Sequence, residues 1–145
     1  MFSLKGKTAV ITGGGSGIGR AISVLFAGQG ATVHILDLNE ESTAETLSEI
    51  EAGGSKAFAC VCNVTSQAEV LAVFEKIAGI DILVNNAGIA HIGKADTTTE
   101  ADFIRVFDVN VKGAPPSSWP WPSVMLPAST CSATGRQCPP VRSWA

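Results

Sequence analysis

Apolar residues fall in short runs, separated by stretches where they recur at helical spacing. Thr8-Ala9-Val10-Ile11-Thr12 is such a run and ends in glycines, which predicts a buried strand. Ile18, Ala21, Ile22, Leu25 and Phe26 follow three and four residues apart, which predicts a helix stopped near Gly30. Thr32 to Asp37 reads as a second strand. Asn39 is an N-cap candidate for a second helix, with Ala44, Leu47 and Ile50 on its apolar face and Gly53-Gly54 at its end. Lys56 to Val61 predicts a third strand. Ser66-Gln67-Ala68-Glu69 has capping-box spacing ahead of Val70, Phe74 and Ile77 on one helix face. Ile80 to Asn85 predicts a fourth strand. Thr97-Thr98-Thr99-Glu100 predicts another capping box, opening a helix from Thr98 to Lys112 that carries Phe103, Val106, Phe107 and Asn110.

Strand and helix therefore alternate four times, and the strands are apolar at neighbouring positions as well as alternate ones. That pattern predicts an α/β fold with a parallel sheet covered by helices on both faces. Right-handed crossovers make a doubly wound sheet the natural arrangement, with four strands in the order 3-2-1-4.

Composition divides the 145 residues near Gly113. All seven prolines and all three tryptophans lie after it, and no Asp or Glu occurs after Asp108. Residues 1–113 carry a net charge of −5 and residues 114–145 one of +2. Hydrophobic residues make up 46% of the whole, enough to bury a core. The net charge of −3 argues against nucleic acid as the main partner. No uninterrupted apolar run reaches membrane-spanning length, and the first residues have no apolar signal core. A cytoplasmic protein without membrane contact is the expectation. There is no tyrosine anywhere in the sequence.

The turn after the first strand is Thr12-Gly13-Gly14-Gly15-Ser16-Gly17-Ile18-Gly19. Glycines there let the backbone turn sharply and let a pyrophosphate approach it. The helix that follows offers free N–H groups and a positive dipole end. Such a turn alone could be a mere loop. Its setting between strand and helix, with Asp37 ending the next strand, points to a Rossmann-type dinucleotide site. The Asp37 carboxylate could accept from both hydroxyls of an adenosine ribose and would repel a 2′-phosphate, so NAD is favoured over NADP. Arg20 is a nearby cation that works against this preference.

Three motifs in order resemble the short-chain dehydrogenase/reductase family: Thr12-Gly13…Gly17…Gly19, then Asn85-Asn86-Ala87-Gly88, then Asp108-Val109-Asn110-Val111-Lys112-Gly113. The resemblance spans residues 5–113. It implies an oxidoreductase that moves hydride between a nicotinamide and an alcohol or carbonyl substrate. By the family pattern, Gly13, Ser16, Gly17, Ile18 and Gly19 would hold the pyrophosphate. Asn63-Val64 falls where the family usually has Asp-Val near the adenine, and an Asn side chain keeps an acceptor oxygen for it. Asn85, Ala87 and Gly88 would run along the cofactor ribose, with Asn86 bracing the loop. Asn110 falls on the family's active-site asparagine. A homo-oligomer is usual for the family, and the helix ending at Lys112 usually contributes to its interface.

The family's proton-transfer tyrosine, followed four residues later by lysine, is absent, and no lysine follows Lys112. By this pattern residues 1–113 form the cofactor-binding half and the chain as written would be catalytically inactive, the alternatives being a non-catalytic NAD-binding or regulatory fragment or a non-functional truncated product. Residues 114–145 cannot sustain the long apolar helix expected there, because an interior proline costs about 3 kcal/mol. Trp119-Pro120-Trp121-Pro122 requires codons TGG CCN TGG CCN, which in another frame encode alternating Leu/Met/Val and Ala. A frameshifted or aberrant tail is therefore expected, with a natural Pro/Trp-rich tail or a splice variant as alternatives. Loss of further strands would leave the outer edge of the fourth strand unpaired. Cys60 and Cys62 read as small thiols on a strand rather than metal ligands. His34 reads as packed or at an edge, and His91 as a solvated loop residue.

Overall fold

A computed structural model of the chain describes residues 3–77, 79–94 and 96–113. The tail from residue 114, with its expected irregularity, lies outside the described residues. The elements are β1 (Thr8–Thr12), α1 (Gly17–Gly28), β2 (Thr32–Asp37), α2 (Glu40–Ala52), β3 (Ala57–Val61), α3 (Gln67–Phe74), β4 (Ile82–Asn85) and α4 (Glu100–Phe107). The last helix widens into a π-helical turn over Asp108–Lys112.

The four strands form one sheet in the order β3-β2-β1-β4, every neighbouring pair parallel, as expected from the sequence. Strand alternation sends Ala9, Ile11, Val33 and Ile35 to one face, where they pack with Ala27 of α1 and Ile50 of α2. Val10, Leu36 and Cys62 face the other side and pack with Val70 of α3, Ile77 and Ile80. Full burial of a branched aliphatic side chain stabilises by roughly 1.5–3 kcal/mol. The six described residues of β1 and β2 at 0% exposure, Ala9, Val10, Ile11, Val33, Ile35 and Leu36, thus anchor both layers at the middle of the sheet.

Four local expectations shift. First, α2 buries Thr43 and Thr46 beside Ile50, whereas Ala44 is exposed. Its inner face meets the glycine turn, whose carbonyls need donors. Thr46 Oγ1 lies 3.0 Å from both the Gly15 and the Ser42 carbonyl oxygens. Thr43 Oγ1 donates to the Asn39 carbonyl at 2.6 Å. Second, the last capping box forms at Thr99 with Asp102, two residues beyond the expected pair. The Thr97 and Thr98 hydroxyls close the preceding turn on the Lys94 carbonyl instead. Third, β3 is an edge strand whose Phe58 and Val61 are more than half exposed, so its outer positions are not covered. His34 of β2 is half-buried and stacks on Phe58, with ring centroids 5.0 Å apart. Fourth, β4 begins at Ile82 rather than Ile80. Asp81 is spent on the end of β1: it accepts from Lys7 Nζ at 2.8 Å and from the Thr8 amide at 2.9 Å.

Helix α4 buries none of its residues, and Phe103, Ile104 and Phe107 are exposed. Among the described residues, no helix is long and apolar enough to cross a membrane.

Candidate functional site

The carboxyl ends of β1, β2, β3 and β4 border a cleft of about 350 Å³. Ligands of open parallel sheets sit at this edge, where the strand order reverses. Here the reversal lies at β1, flanked by β2 on one side and β4 on the other. The lining brings together Gly13, Ser16, Gly17 and Ile18 of the glycine turn, Asp37 of β2, Asn63 and Val64 after β3, and Ala87 and Gly88 after β4.

The turn is held by long-range hydrogen bonds. The Gly13 amide donates to the Leu36 carbonyl at 2.7 Å. Thr12 Oγ1 accepts from the Asn86 and Ala87 amides, each at 3.0 Å, and so ties β1 to the loop after β4. Asn86 Nδ2 donates to the Thr12 and Gly13 carbonyls at 3.2 and 3.1 Å, the bracing role expected of it. Gly13 has φ of +65° and its missing Cβ would sit 2.8 Å from Ala87 Cα, so both conformation and space call for glycine. Gly19 does not line the cleft. It is buried where α1 crosses the turn, and a side chain there would strike the Gly13 carbonyl oxygen.

Ser16 is the N-cap of α1, yet its side chain caps nothing. The first-turn N–H groups are therefore not taken by a capping side chain, and the helix presents donors and a positive dipole end toward the cleft. Asp37 holds its carboxylate at the same edge. Its Oδ2 accepts from the Gly15 amide at 3.0 Å and its Oδ1 from the Asn39 amide at 3.1 Å. Arg20 is held by α2, with Glu49 at 2.9 Å and Glu45 at 3.2 Å. The Glu49 hydrogen bond leads in raising the guanidinium pKa above its ordinary value.

Asn63 has its side-chain oxygen occupied. Oδ1 accepts from the Thr65 amide at 3.0 Å and from the Thr65 hydroxyl at 2.8 Å. The acceptor expected for an adenine is thus already engaged. Asn85 pairs with Thr12 at the end of β4 and does not line the cleft. Asn110 does not line it either. Its Oδ1 accepts from the Ile89 amide at 2.8 Å and its Nδ2 donates to the Ile89 carbonyl at 2.9 Å. Both ends of the amide are committed to one residue of the cleft wall.

Sequence reasoning missed Leu36, Leu38, Cys62, Ile89 and Val109 in the lining. Leu38 carried a signal, an apolar residue directly after the strand-ending acid, and it is 65% exposed. Cys62 is 1% exposed, and its thiol is pushed up to about 11 by burial first and then by Glu69 and Cys60. It stays protonated and unreactive at neutral pH. His91 is not a solvated loop residue: its Nδ1 lies 3.6 Å from Asp102 Oδ1, and its Nε2 is buried without a partner among the described residues.

The short chain dehydrogenase family pattern matches residues 7–118. The chain belongs to this family. The 7alpha-hydroxysteroid dehydrogenase of Escherichia coli K12 is 42% identical over 112 residues, covering 74% of this chain and 44% of that protein. A solved 7alpha-hydroxysteroid dehydrogenase in complex with NADH and 7-oxo glycochenodeoxycholic acid superposes with a TM-score of 0.70 at 42% identity, over 78% of this chain and 48% of that one. A solved NAD+-bound xylitol dehydrogenase superposes with a TM-score of 0.73 at 31% identity, over 77% of this chain and 45% of that one. This short-chain dehydrogenase chain spans about half the length of the relatives it matches. In both superposed structures the dinucleotide is NAD or its reduced form.

Proposed function

We propose that residues 1–113 are the NAD-binding half-domain of a short-chain oxidoreductase, and that these 145 residues bind NAD without transferring hydride. The observation that carries the proposal is the uncapped N-terminus of α1 facing the same cleft as the Asp37 carboxylate. A pyrophosphate against Gly13, Ser16, Gly17 and Ile18 would meet free donors, and the ribose beyond it would reach Asp37. Gly19 serves this site by letting α1 pack on the turn rather than by contact. Ala87 and Gly88 would flank the second ribose on the β4 side, with Asn85 behind them. Asn63 and Val64 would meet the base. Asn110 acts as a positioning residue through Ile89. Bound NAD would supply the hydride-accepting ring; the residues here bind and orient it.

NAD rather than NADP follows from two charges. Asp37 repels a 2′-phosphate, and Arg20, the nearby cation, is taken by Glu45 and Glu49. An alcohol or carbonyl substrate, and a cytoplasmic setting, belong to this proposal through the family. Inactivity rests on the missing tyrosine and lysine pair. With the tyrosine absent, no phenol is available to move the substrate proton. The frameshifted origin of residues 114–145 is tested by sequencing the locus for a tyrosine and lysine four apart in the shifted frame.

Calorimetric titration of the full chain tests the binding half of the proposal. Saturable heat with NAD and much weaker binding of NADP are expected. Absence of saturable heat with NAD refutes it. Turnover of NAD with a panel of secondary alcohols would refute the inactive half.

A further inference from the structure

The loop after β4 supplies Ala87, Gly88 and Ile89 to the cleft wall, and α4 begins at its far end. Helix α4 buries none of its residues, so apolar packing does little to hold it against that loop. Polar contacts do so instead. Asn110 clasps Ile89 through both ends of its carboxamide. At the start of the helix, His91 of the loop meets Asp102 of the first turn.

The loop is folded around the His91 ring. A Cβ on Gly93 would lie 2.5 Å from Nε2 and 3.1 Å from Cδ2 of His91, and 3.2 Å from the Thr98 hydroxyl. Gly93 therefore lets the backbone lie against the imidazole edge. Ile92, between them, is 99% exposed, so the ring rather than the apolar side chain anchors this stretch.

Asp102 has one oxygen to spare for that ring. Its Oδ2 accepts from the Thr99 amide at 3.1 Å and from the Thr99 hydroxyl at 2.7 Å. Its Oδ1 faces His91 Nδ1 at 3.6 Å. That separation exceeds a full hydrogen bond but still lets the carboxylate attract an N–H dipole. The other ring nitrogen, Nε2, is buried against Gly93 with no partner among the described residues. A buried N–H without an acceptor is rarer than a buried acceptor without a donor. The ring proton therefore belongs on Nδ1, and Nε2 carries the bare lone pair.

Resting on the proposed dinucleotide site, we propose that His91 is a positioning residue for it. With its proton on Nδ1, the ring latches the loop to the first turn of α4, as Asn110 does from beyond the other end of the helix. Together the two latches set the wall formed by Gly88 and Ile89. His91 does not line the cleft, so it acts through this loop.

Three substitutions separate Nδ1 from the rest of the ring. His91→Asn sets a carboxamide NH2 where Nδ1 stands, His91→Gln sets one nearer the place of Nε2, and His91→Ala removes both. In calorimetric titration of the full chain, NAD affinity is expected to be roughly tenfold weaker for the Ala and Gln variants and within about threefold of wild type for the Asn variant. Without ligand, hydrogen exchange at the Gly88 and Ile89 amides should speed in the Ala and Gln variants and stay near the wild-type rate in the Asn variant. A general structural role would not sort Asn from Gln. Nitrogen–proton correlation spectra at mildly alkaline pH should show the wild-type ring protonated on Nδ1. Unchanged NAD affinity in His91→Ala, rescue by Gln instead of Asn, or a ring protonated on Nε2 overturns the proposal. If wild type itself gives no saturable heat with NAD, the nucleotide site is refuted and the positioning role with it, while the spectra and exchange rates, which need no ligand, still decide whether the latch exists.

Discussion

Replacing Gly19 by alanine should destabilise the chain, although the usual expectation for a helix is the reverse. In a helix interior, Gly→Ala gains about 1 kcal/mol from propensity. Gly28, near the end of the same helix, should show that gain, since a Cβ there meets nothing within 4 Å. At Gly19 the added Cβ would overlap the Gly13 carbonyl oxygen and lie 2.5 Å from Asn86 Nδ2. The obstacle on one side is backbone, so it cannot turn aside. Overpacking of this kind costs roughly 1–3 kcal/mol. Moving Asn86 away also releases its hydrogen bonds to Thr12 and Gly13, about 1 kcal/mol each. Set against the propensity gain, the net loss is about 2–4 kcal/mol. Urea unfolding of the full chain, followed by circular dichroism, reads it as a lower midpoint at unchanged slope. Gly28→Ala should raise the midpoint in the same assay. A Gly19→Ala midpoint equal to or above wild type would refute the packing role assigned to Gly19.

Three further outcomes are expected. Joint Glu45→Gln and Glu49→Gln substitution should release Arg20 and narrow the preference for NAD over NADP, read as the ratio of their dissociation constants. Asp81→Asn should lose about 1 kcal/mol at neutral pH through its bonds to Lys7 and Thr8. The Lys7 and Thr8 bonds hold the Asp81 pKa below its ordinary 3.8, so the unfolded chain takes the proton first. The gap between wild type and Asp81→Asn should therefore be complete above pH 3.8 and close as pH falls through the lower folded value, measured by urea midpoints against pH. Asn110→Ala should free both backbone groups of Ile89, speed hydrogen exchange at the Ile89 amide and weaken NAD. Asn110→Asp, which can still accept from that amide, should restore the exchange protection and leave the lost carbonyl bond unrepaired.

How far the sequence foretold this molecule depends on the range of each interaction. The strands were legible because burial on both faces writes itself as consecutive apolar residues, and Val10 and Ile11 belong to opposite layers of the core. The glycine turn was legible because its positive φ and close backbone packing at Gly13 demand glycine, and Asp37 because it is the acid that ends the apolar run of β2. The inner face of α2 was not, since apolar periodicity cannot see that Thr43 and Thr46 are buried as donors to carbonyls. Three consecutive threonines likewise offer the same cap chemistry, and only the turn at Lys94 decides that Thr99 is the one used. Thr12 shows the wider limit. Its hydroxyl joins β1 to residues more than seventy positions away, a contact that exists only once β1 and β4 are paired. Asn63 shows the opposite case. Its type suggested an acceptor for the base, and a neighbour two residues away consumed that acceptor. A motif thus names the side chain, while the hydrogen bonds of its own loop determine which of its atoms are left free.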